Sequence, residues 1–134
     1  MHKTKIVTSF LKNSNNILLL RRSEKVKSMK NFWAGISGII EGDEEPVKRA
    51  KIEIFEEVGI KESDIILVKE GDRILIESPQ YANHQWEVYP FLFSCTKREI
   101  KLNWENSDSK WICMNELSNF RTVPSLDKVL ARLF

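Results

Sequence analysis

One segment constrains the fold of this chain more than any other: Glu44 to Glu57, followed directly by Val58-Gly59-Ile60. We predict that this segment is a helix. Pro46 suits the first helical turn, where a missing N–H leaves no hydrogen bond unmade, and Gly59 suits the left-handed position that ends many helices. Apolar residues recur at helical spacing and predict a buried stripe, formed by Val47, Ala50, Ile54 and Val58.

Three glutamates, Glu53, Glu56 and Glu57, are predicted to share the opposite face of this helix, because positions three and four apart are neighbours. No Lys or Arg lies between them, and their repulsion costs about a few tenths of a kcal/mol per pair. A divalent cation would offset that cost, since Mg²⁺ takes oxygen ligands and is commonly held by carboxylates together with substrate phosphates. The face therefore predicts a magnesium site. A solvated face is the alternative, because Glu is a good helix former.

The glutamates belong to a longer string with fixed spacing. Gly38 is followed after five residues by Glu44 and, eight residues later, by Glu53-Ile54-Phe55-Glu56-Glu57-Val58-Gly59-Ile60. This string resembles the Nudix box, Gly-x5-Glu-x7-Arg-Glu-U-x-Glu-Glu-x-Gly-U with U bulky and apolar, which is the signature of the Nudix hydrolase family. The match in identity and spacing fails at one position only, where Ile52 replaces the family's Arg.

The resemblance implies a fold and an activity. The implied fold is α+β, a mixed β-sheet sandwiched between helices, with residues 1–134 as a single Nudix hydrolase domain. The implied reaction is cleavage of a phosphoanhydride bond in a nucleoside diphosphate linked to another moiety, by attack of water on phosphorus. A bound cation in such a site neutralises phosphate charge and lowers the pKa of water.

The resemblance also implies roles for particular residues. Glu53, Glu56 and Glu57 are expected to be catalytic carboxylates and ligands of Mg²⁺ or Mn²⁺. The backbone carbonyl near Gly38 is expected to be a further ligand. Glu44 matches the box glutamate that supports the site.

A further carboxylate follows later in the chain. Glu105 stands six residues before Trp111, a spacing similar to the family segment that supplies a fourth acidic ligand or base from a loop. Glu105 is therefore expected to join both the metal ligands and the catalytic groups. A solvated loop carboxylate is the alternative, and Asp108 competes for the same role.

The absent family arginine leaves several readings open. In the family it holds a box glutamate through a charge-assisted hydrogen bond, which Ile52 cannot make. Arg49 lies about 40° from Glu53 around the helix and either substitutes in part or is solvated, whereas Lys51 points to the other side. The glutamates are then supported differently, or metal binding is weaker, or the chain is a non-catalytic nucleotide-binding module. We favour a working enzyme because every box carboxylate is retained.

The substrate is specified less sharply. Five basic residues at positions 21–30 are opposed only by Glu24, and such a loop can hold phosphates or be a solvated face. Arg22, at the end of a predicted strand, is the best candidate. Aromatic side chains could stack on a base or pack in the core, and the candidates are Trp33, Tyr81, Trp86 and Trp104. The segment beginning at Ser78-Pro79-Gln80 suggests an NADH-type motif only superficially.

Apolar runs predict that most of the remaining chain forms strands. The first two strands form a hairpin around residues 13–16, and the two runs flanking Gly71-Asp72 are expected to pair with each other. The longest run is apolar on both faces near its end and is therefore expected to be central, although Pro90 cannot donate to a ladder. The predicted strand segments are residues 5–11, 17–22, 32–40, 64–70, 73–77, 85–95 and 110–114.

Helical structure is expected again near the C-terminus. A helical turn is predicted at residues 115–120, and Ser125 is expected to cap a final helix. An apolar stripe of that helix predicts burial against the sheet, and its members are Leu126, Val129, Leu130 and Leu133.

Composition limits the class of partner. The net charge of +2 argues against duplex nucleic acid, and no apolar run approaches the ~18 residues of a membrane span. The N-terminal apolar stretch is too short for a signal peptide, so we expect a cytoplasmic protein acting on a small nucleoside diphosphate derivative, as a monomer or homodimer. Cys95 and Cys113 lack metal-type spacing and are expected to be buried thiols. A diphosphate isomerase on the same fold would need a catalytic Cys and a His pair, and only two histidines are present.

Overall fold

The computed structural model describes residues 2–77 and 83–134, so Tyr81 and the Ser78-Pro79-Gln80 segment lie outside the described residues. Within the described ranges, eight strands form one mixed sheet and two α-helices pack on it. Short 3-10 turns lie at Glu62–Asp64 and Met114–Asn119. The main elements are β1 (His2–Asn13), β2 (Asn16–Arg22), β3 (Trp33–Ala34), β4 (Ile36–Ile39), α1 (Pro46–Val58), β5 (Ile65–Glu70), β6 (Ile74–Glu77), β7 (His84–Cys95), β8 (Asn106–Ile112) and α2 (Leu126–Ala131).

Strands β1 and β7 form the centre of the sheet. They run parallel in register from His2 opposite His84 to Lys12 opposite Ser94. The other edge of β1 pairs antiparallel with β4 and, at the hairpin turn, with β2. Strand β2 also pairs with β3 and β8. The predicted α+β fold with a mixed sheet and the predicted central strand are therefore confirmed.

Each face of the sheet has its own hydrophobic core, because successive strand residues point to opposite faces. Phe91 and Phe93 of β7 pack with α1, and Leu92 between them packs with α2. The predicted apolar stripes contribute to these cores: Ala50, Ile54 and Val58 are buried with Val47 packed against them, and Leu126, Val129, Leu130 and Leu133 are buried on the other side.

The expected pairing of β5 with β6 is wrong. Both strands pair antiparallel with β7 and follow one another along the same edge, with Glu70 opposite Phe91 and Ile74 opposite Val88. The break between them lies across from Pro90, whose missing N–H interrupts the ladder. Gly71 N–H still donates to the Pro90 carbonyl at 3.0 Å. Pro90 of β7 therefore lies opposite the break between β5 and β6.

The ends of the helices follow the sequence in one case and not in the other. Helix α1 begins at Pro46 and ends at Gly59, which has φ 74° and donates its N–H to the Phe55 carbonyl, as expected. Ser125 is the N-cap residue of α2, as expected, but its φ of 69° is left-handed and its side chain does not make the capping hydrogen bond.

Two further expectations concern the cysteines and the character of the helices. Both cysteines are free thiols as expected, with Cys95 buried but Cys113 only half-buried. Neither α-helix in the described part of the chain has the length and apolar character of a membrane span.

Candidate active site

The box glycine and the first box glutamate of α1 touch across the interface between helix and sheet. Gly38 lies in β4, paired with Val7 of the central strand β1. A Cβ built on Gly38 would overlap the side-chain carboxyl group of Glu53. Glycine at this position therefore makes the space into which a buried carboxylate fits.

The expectation that the three helix glutamates form one face opposite the apolar stripe is only partly correct. Glu53 and Glu57 are buried, with 8% and 3% of their surface exposed, whereas Glu56 is exposed. Desolvation raises the pKa of Glu53, a shift that the hydrogen bond from Arg49 opposes. Because the edge of α1 that carries Glu53 and Glu57 lies against the sheet, these two of the three carboxylates are buried.

Glu57 is the most deeply buried of these carboxylates. Its Oε1 accepts a hydrogen bond from the Asn106 side-chain amide at 3.2 Å. Its Oε2 is buried with no hydrogen-bond partner among the described residues. Desolvation, followed by the charge of Glu105, raises the pKa of Glu57 well above its ordinary value. An anionic oxygen in this position needs a positive charge beside it.

Glu105 approaches the same region from a different element. It directly precedes β8, which begins at Asn106 and not at residue 110 as predicted. Its backbone is tied down on both sides: its carbonyl accepts from Ser23 N–H at 2.8 Å, and its N–H donates to Asn103 Oδ1 at 3.0 Å. Desolvation raises the pKa of Glu105, a hydrogen bond from Asn103 opposes that shift, and the charge of Glu56 adds to it.

Asp108, the competing candidate, is positioned differently. It is exposed in β8 opposite Arg21, and its Oδ1 accepts from the N–H of Ser109 at 2.8 Å. The charges that act on Glu53 and Glu57 include Glu105. Glu105, and not Asp108, is therefore the carboxylate of the later segment whose charge acts on these helix glutamates.

Arg49 is held by carboxylates and is not solvated; 13% of its side chain is exposed. Its Nε and Nη2 donate to the two oxygens of Glu44 at 2.9 and 2.7 Å. Its Nη1 donates to Glu53 Oε2 at 3.0 Å. The hydrogen bonds from Arg49 to Glu44 lower the pKa of Glu44. Lys51 points away, as expected, and pairs with Glu62 at 3.0 Å.

Arg22 is held by the loop of residues 23–31, which we call the basic loop. Its Nε and Nη2 both donate to the Ser28 carbonyl, at 3.1 and 3.0 Å. Burial lowers the pKa of Arg22, and the charges of Glu57 and Glu105 oppose that shift. The guanidinium is therefore fixed by the loop while remaining within the field of two carboxylates.

A cavity of about 400 Å³ extends from Gly38 and Arg22 toward α2. Apolar side chains form much of its wall, and a hydroxyl pair, Thr8 Oγ1 and Ser37 Oγ at 3.0 Å, belongs to it. We call it the α2-side cavity. Residues from β1, β6, β7 and α2 line it, among them Ile6, Ile76, Glu77, Val88, Leu126 and Val129.

The aromatic candidates are placed in three different environments. Trp33 packs edge-on against Phe120, with ring centres 5.2 Å apart, and lies against the α2-side core. Trp86 is half-buried and lines the α2-side cavity. Trp104 is exposed and lies beside Glu105 in the chain.

Sequence reasoning missed two contributors to this region. Asn106, the partner of Glu57, gave no signal beyond its position next to Glu105. Ser28 contributes only a backbone carbonyl, which no residue type encodes. Both depend on the pairing of β2 with β8 and on the path of the 23–31 loop, which spacing alone does not reveal.

The donor set suits a hard divalent cation. It consists of carboxylate oxygens, which Mg²⁺ prefers, and it includes the buried Glu57 Oε2 without a partner. In the side-chain positions seen here, no three acidic, His or Cys groups among residues 2–77 and 83–134 converge at ligand spacing. Coordination therefore requires side-chain rotation, which the exposed Glu56 can make most easily.

Known proteins resemble this chain in both sequence and fold. The model of the NUDIX domain matches residues 2–133. A dihydroneopterin triphosphate diphosphatase from Haemophilus influenzae is 33% identical over an alignment of 116 residues, which covers 80% of this chain and 71% of that protein.

Two solved structures illustrate the likeness in fold. A MutT protein from Methanosarcina mazei superposes with a TM-score of 0.76 at 20% identity, covering 98% of this chain and 92% of that one. A C. elegans Ap4A hydrolase superposes with a TM-score of 0.75 at 16% identity, covering 99% and 95%. With the family match over nearly the whole chain and a diphosphatase relative, the chain belongs to the Nudix family and is a Nudix pyrophosphohydrolase.

Proposed function

We propose that this protein hydrolyses a phosphoanhydride bond of a nucleoside diphosphate linked to another moiety, and that it requires Mg²⁺ or Mn²⁺. One observation carries the metal requirement. Glu53 and Glu57 are buried on α1, the charge of Glu105 acts on both, and one Glu57 oxygen has no partner in the described structure. Buried anions of like charge persist only where a cation or protons compensate them.

The carboxylates would have different roles in the reaction. Glu53, Glu56, Glu57 and Glu105, with the backbone carbonyl near Gly38, would hold the cation. When bound, the cation neutralises phosphate charge and lowers the pKa of water. Glu105 would accept the proton of the attacking water, because it lies just before β8 and not on α1, while Glu53 and Glu57 are fixed by hydrogen bonds from Arg49 and Asn106.

The α2-side cavity would bind the base of the substrate. It is concave, largely apolar and supplied with a few polar groups, as small-molecule sites generally are. Trp86 offers a ring for stacking, and Arg22 in the cavity wall would contact phosphate. Trp33, which packs on Phe120, would support this wall without touching the base.

A second candidate substrate comes from the Haemophilus relative, which is named for dihydroneopterin triphosphate. A pterin is a flat bicyclic ring with several hydrogen-bonding edges, and the cavity offers the Thr8–Ser37 hydroxyl pair and the Glu77 carboxylate. Pterin and purine triphosphates therefore belong in the same assay panel as the linked nucleoside diphosphates.

The test is phosphate and nucleotide release by the purified protein over this panel, with Mg²⁺, Mn²⁺ or chelator. Glu57→Gln should lower turnover by about two orders of magnitude or more. Glu62→Gln is the matched control, because Glu62 pairs with Lys51 away from the site. Activity that survives exhaustive chelation would refute the metal assignment. Glu57→Gln protein that unfolds while metal-free parent protein stays folded would make Glu57 a structural residue.

A further inference from the structure

The two histidines of the chain, His2 and His84, lie directly opposite one another where β1 and β7 begin. The centres of their rings are 6.2 Å apart, and the ring planes are inclined by 30°. The proposed hydrolysis uses neither residue. The pair is therefore a cluster of potential metal ligands away from the carboxylates.

The backbone holds both histidines in register. Strands β1 and β7 pair in parallel without interruption from His2 opposite His84 onward, and the N–H of His2 donates to the Asn83 carbonyl at 2.8 Å. Opposite residues of neighbouring strands project their side chains to the same face of a sheet. The two imidazoles therefore meet without any rearrangement of the main chain.

The separation of the two rings suits a shared metal ion. A Zn–N bond of about 2.0–2.1 Å places an imidazole centre about 3 Å from the metal, so two imidazoles on one ion have centres roughly 5–6 Å apart. Imidazole nitrogen suits Zn²⁺, Cu²⁺ and Ni²⁺, whereas carboxylate and water suit Mg²⁺. The histidine pair and the carboxylates of the candidate active site thus favour different ions.

The His84 ring is oriented by two neighbours. Thr4 Oγ1 lies 3.0 Å from its Nε2, and a hydroxyl or carbonyl partner of this kind commonly fixes the orientation of a metal-binding imidazole. Trp86 packs edge-on against the same ring, with 4.7 Å between ring centres. One of the two ligands is therefore already positioned by the sheet.

The pair is open to solvent, because His2 is exposed and His84 is half-buried. No third His, Cys, Asp or Glu converges with them among residues 2–77 and 83–134. Water would complete the coordination of an ion bound here. Two protein ligands at a surface bind a metal reversibly, in contrast to the four ligands of a closed structural zinc site.

We propose that His2 and His84 form a second metal site, separate from the carboxylates, that binds a divalent transition metal ion of the Zn²⁺ and Cu²⁺ class. The site adjoins the α2-side cavity, because Trp86 contacts His84 and lines that cavity. The proposal concerns binding and not hydrolysis, so it stands or falls independently of the proposed function.

The first test is a titration of untagged, metal-free protein with ZnCl₂ in excess Mg²⁺, followed by the NMR signals of the imidazoles. Both histidines should shift together and saturate at a single Zn²⁺ per chain. His84→Ala should abolish the shift of His2, and Thr4→Val should weaken Zn²⁺ binding about 10- to 100-fold. Gln85→Ala is the matched control, since Gln85 adjoins His84 in β7 but projects to the opposite face; it should leave the affinity unchanged.

The second test uses Trp86 as a reporter. Cu²⁺ held by the pair should quench the fluorescence of Trp86, whose ring contacts His84, and Trp86→Phe should remove that part of the quenching. A shift of one histidine alone, no saturable shift of either, or unchanged Zn²⁺ affinity in His2→Ala would overturn the proposal. The exposed position of His2 keeps this variant informative even where His84→Ala does not fold. Loss of Zn²⁺ binding in Glu57→Gln would also overturn it, because the ion would then bind at the carboxylates.

Discussion

At the scale of single residues, the contacts of Arg49 show how Glu53 is held in a chain where Ile52 replaces the family's arginine. Its guanidinium makes a bidentate pair with Glu44 and a third hydrogen bond to Glu53. Arg49 and Glu53 are four positions apart, which puts them on the same face of α1. The family pattern places its arginine next to the glutamate in sequence, whereas this chain has one a turn earlier. The contacts are therefore compatible with support of Glu53 from a different position.

Arg49→Ala should lower turnover and shift the Mg²⁺ midpoint upward by about 10- to 100-fold, the usual effect of losing a group that orients a metal ligand. Ile52→Arg alone should add little, because Glu53 already has its partner. In the Arg49→Ala background, Ile52→Arg should restore part of the loss. Both parameters come from initial rates over a Mg²⁺ titration.

Lys51→Ala is the control for these variants, because it removes a cation of the same helix that pairs with Glu62. It should leave the Mg²⁺ midpoint unchanged. If Arg49→Ala behaves like Lys51→Ala, the guanidinium does not support the carboxylates.

At the scale of elements, helix α1 was predictable because local chemistry defines it. Pro46 and Gly59 mark its ends, and the helical spacing of Ala50, Ile54 and Val58 marks its buried stripe. The burial of Glu53 was not predictable from the helix, because it depends on Gly38 in a different element. A helical pattern shows which residues share a face, but the packing partner decides which carboxylates lose their water.

The errors elsewhere have the same cause. Strands β5 and β6 have ordinary strand sequences around a turn-like Gly71-Asp72, which suggests a hairpin. Both instead pair with β7, and that choice is made by long-range contacts. Ser125 is a residue type that caps helices, but its left-handed backbone keeps its side chain from doing so.

The contact between β4 and α1 can be tested with Gly38→Ala. The added Cβ would overlap the Glu53 carboxyl group, so we expect Glu53 to be displaced. The free energy of unfolding should fall by about 1–3 kcal/mol, and the Mg²⁺ midpoint of the rate should rise. Gly42→Ala is the control: its φ is 54° but a Cβ there meets open space, so it costs roughly 1 kcal/mol without touching the site. Thermal denaturation and a Mg²⁺ titration of both variants decide the matter; equal Mg²⁺ midpoints would contradict the proposed contact.

At the scale of the whole molecule, the sheet separates two cores that support different parts of the site. Ile54 lies in the core beneath α1, on the helix that carries three of the carboxylates. Leu130 lies in the core beneath α2, next to Leu126 and Val129 in the wall of the α2-side cavity. The proposed metal ligands and the proposed base pocket therefore depend on different cores.

This division predicts different consequences for two equally buried side chains. Ile54→Ala and Leu130→Ala should each cost about 2–5 kcal/mol of unfolding free energy, since both residues are almost fully buried. At a temperature where both variants remain folded, Ile54→Ala should raise the Mg²⁺ midpoint, because α1 loses its fixed position over β4. Leu130→Ala should instead raise KM while leaving the Mg²⁺ midpoint unchanged, because it loosens the cavity wall. Denaturant unfolding gives the stabilities and steady-state rates give the other two quantities. If both variants shift both quantities alike, the two faces of the sheet are coupled, and the α2-side cavity and the carboxylates respond as one unit.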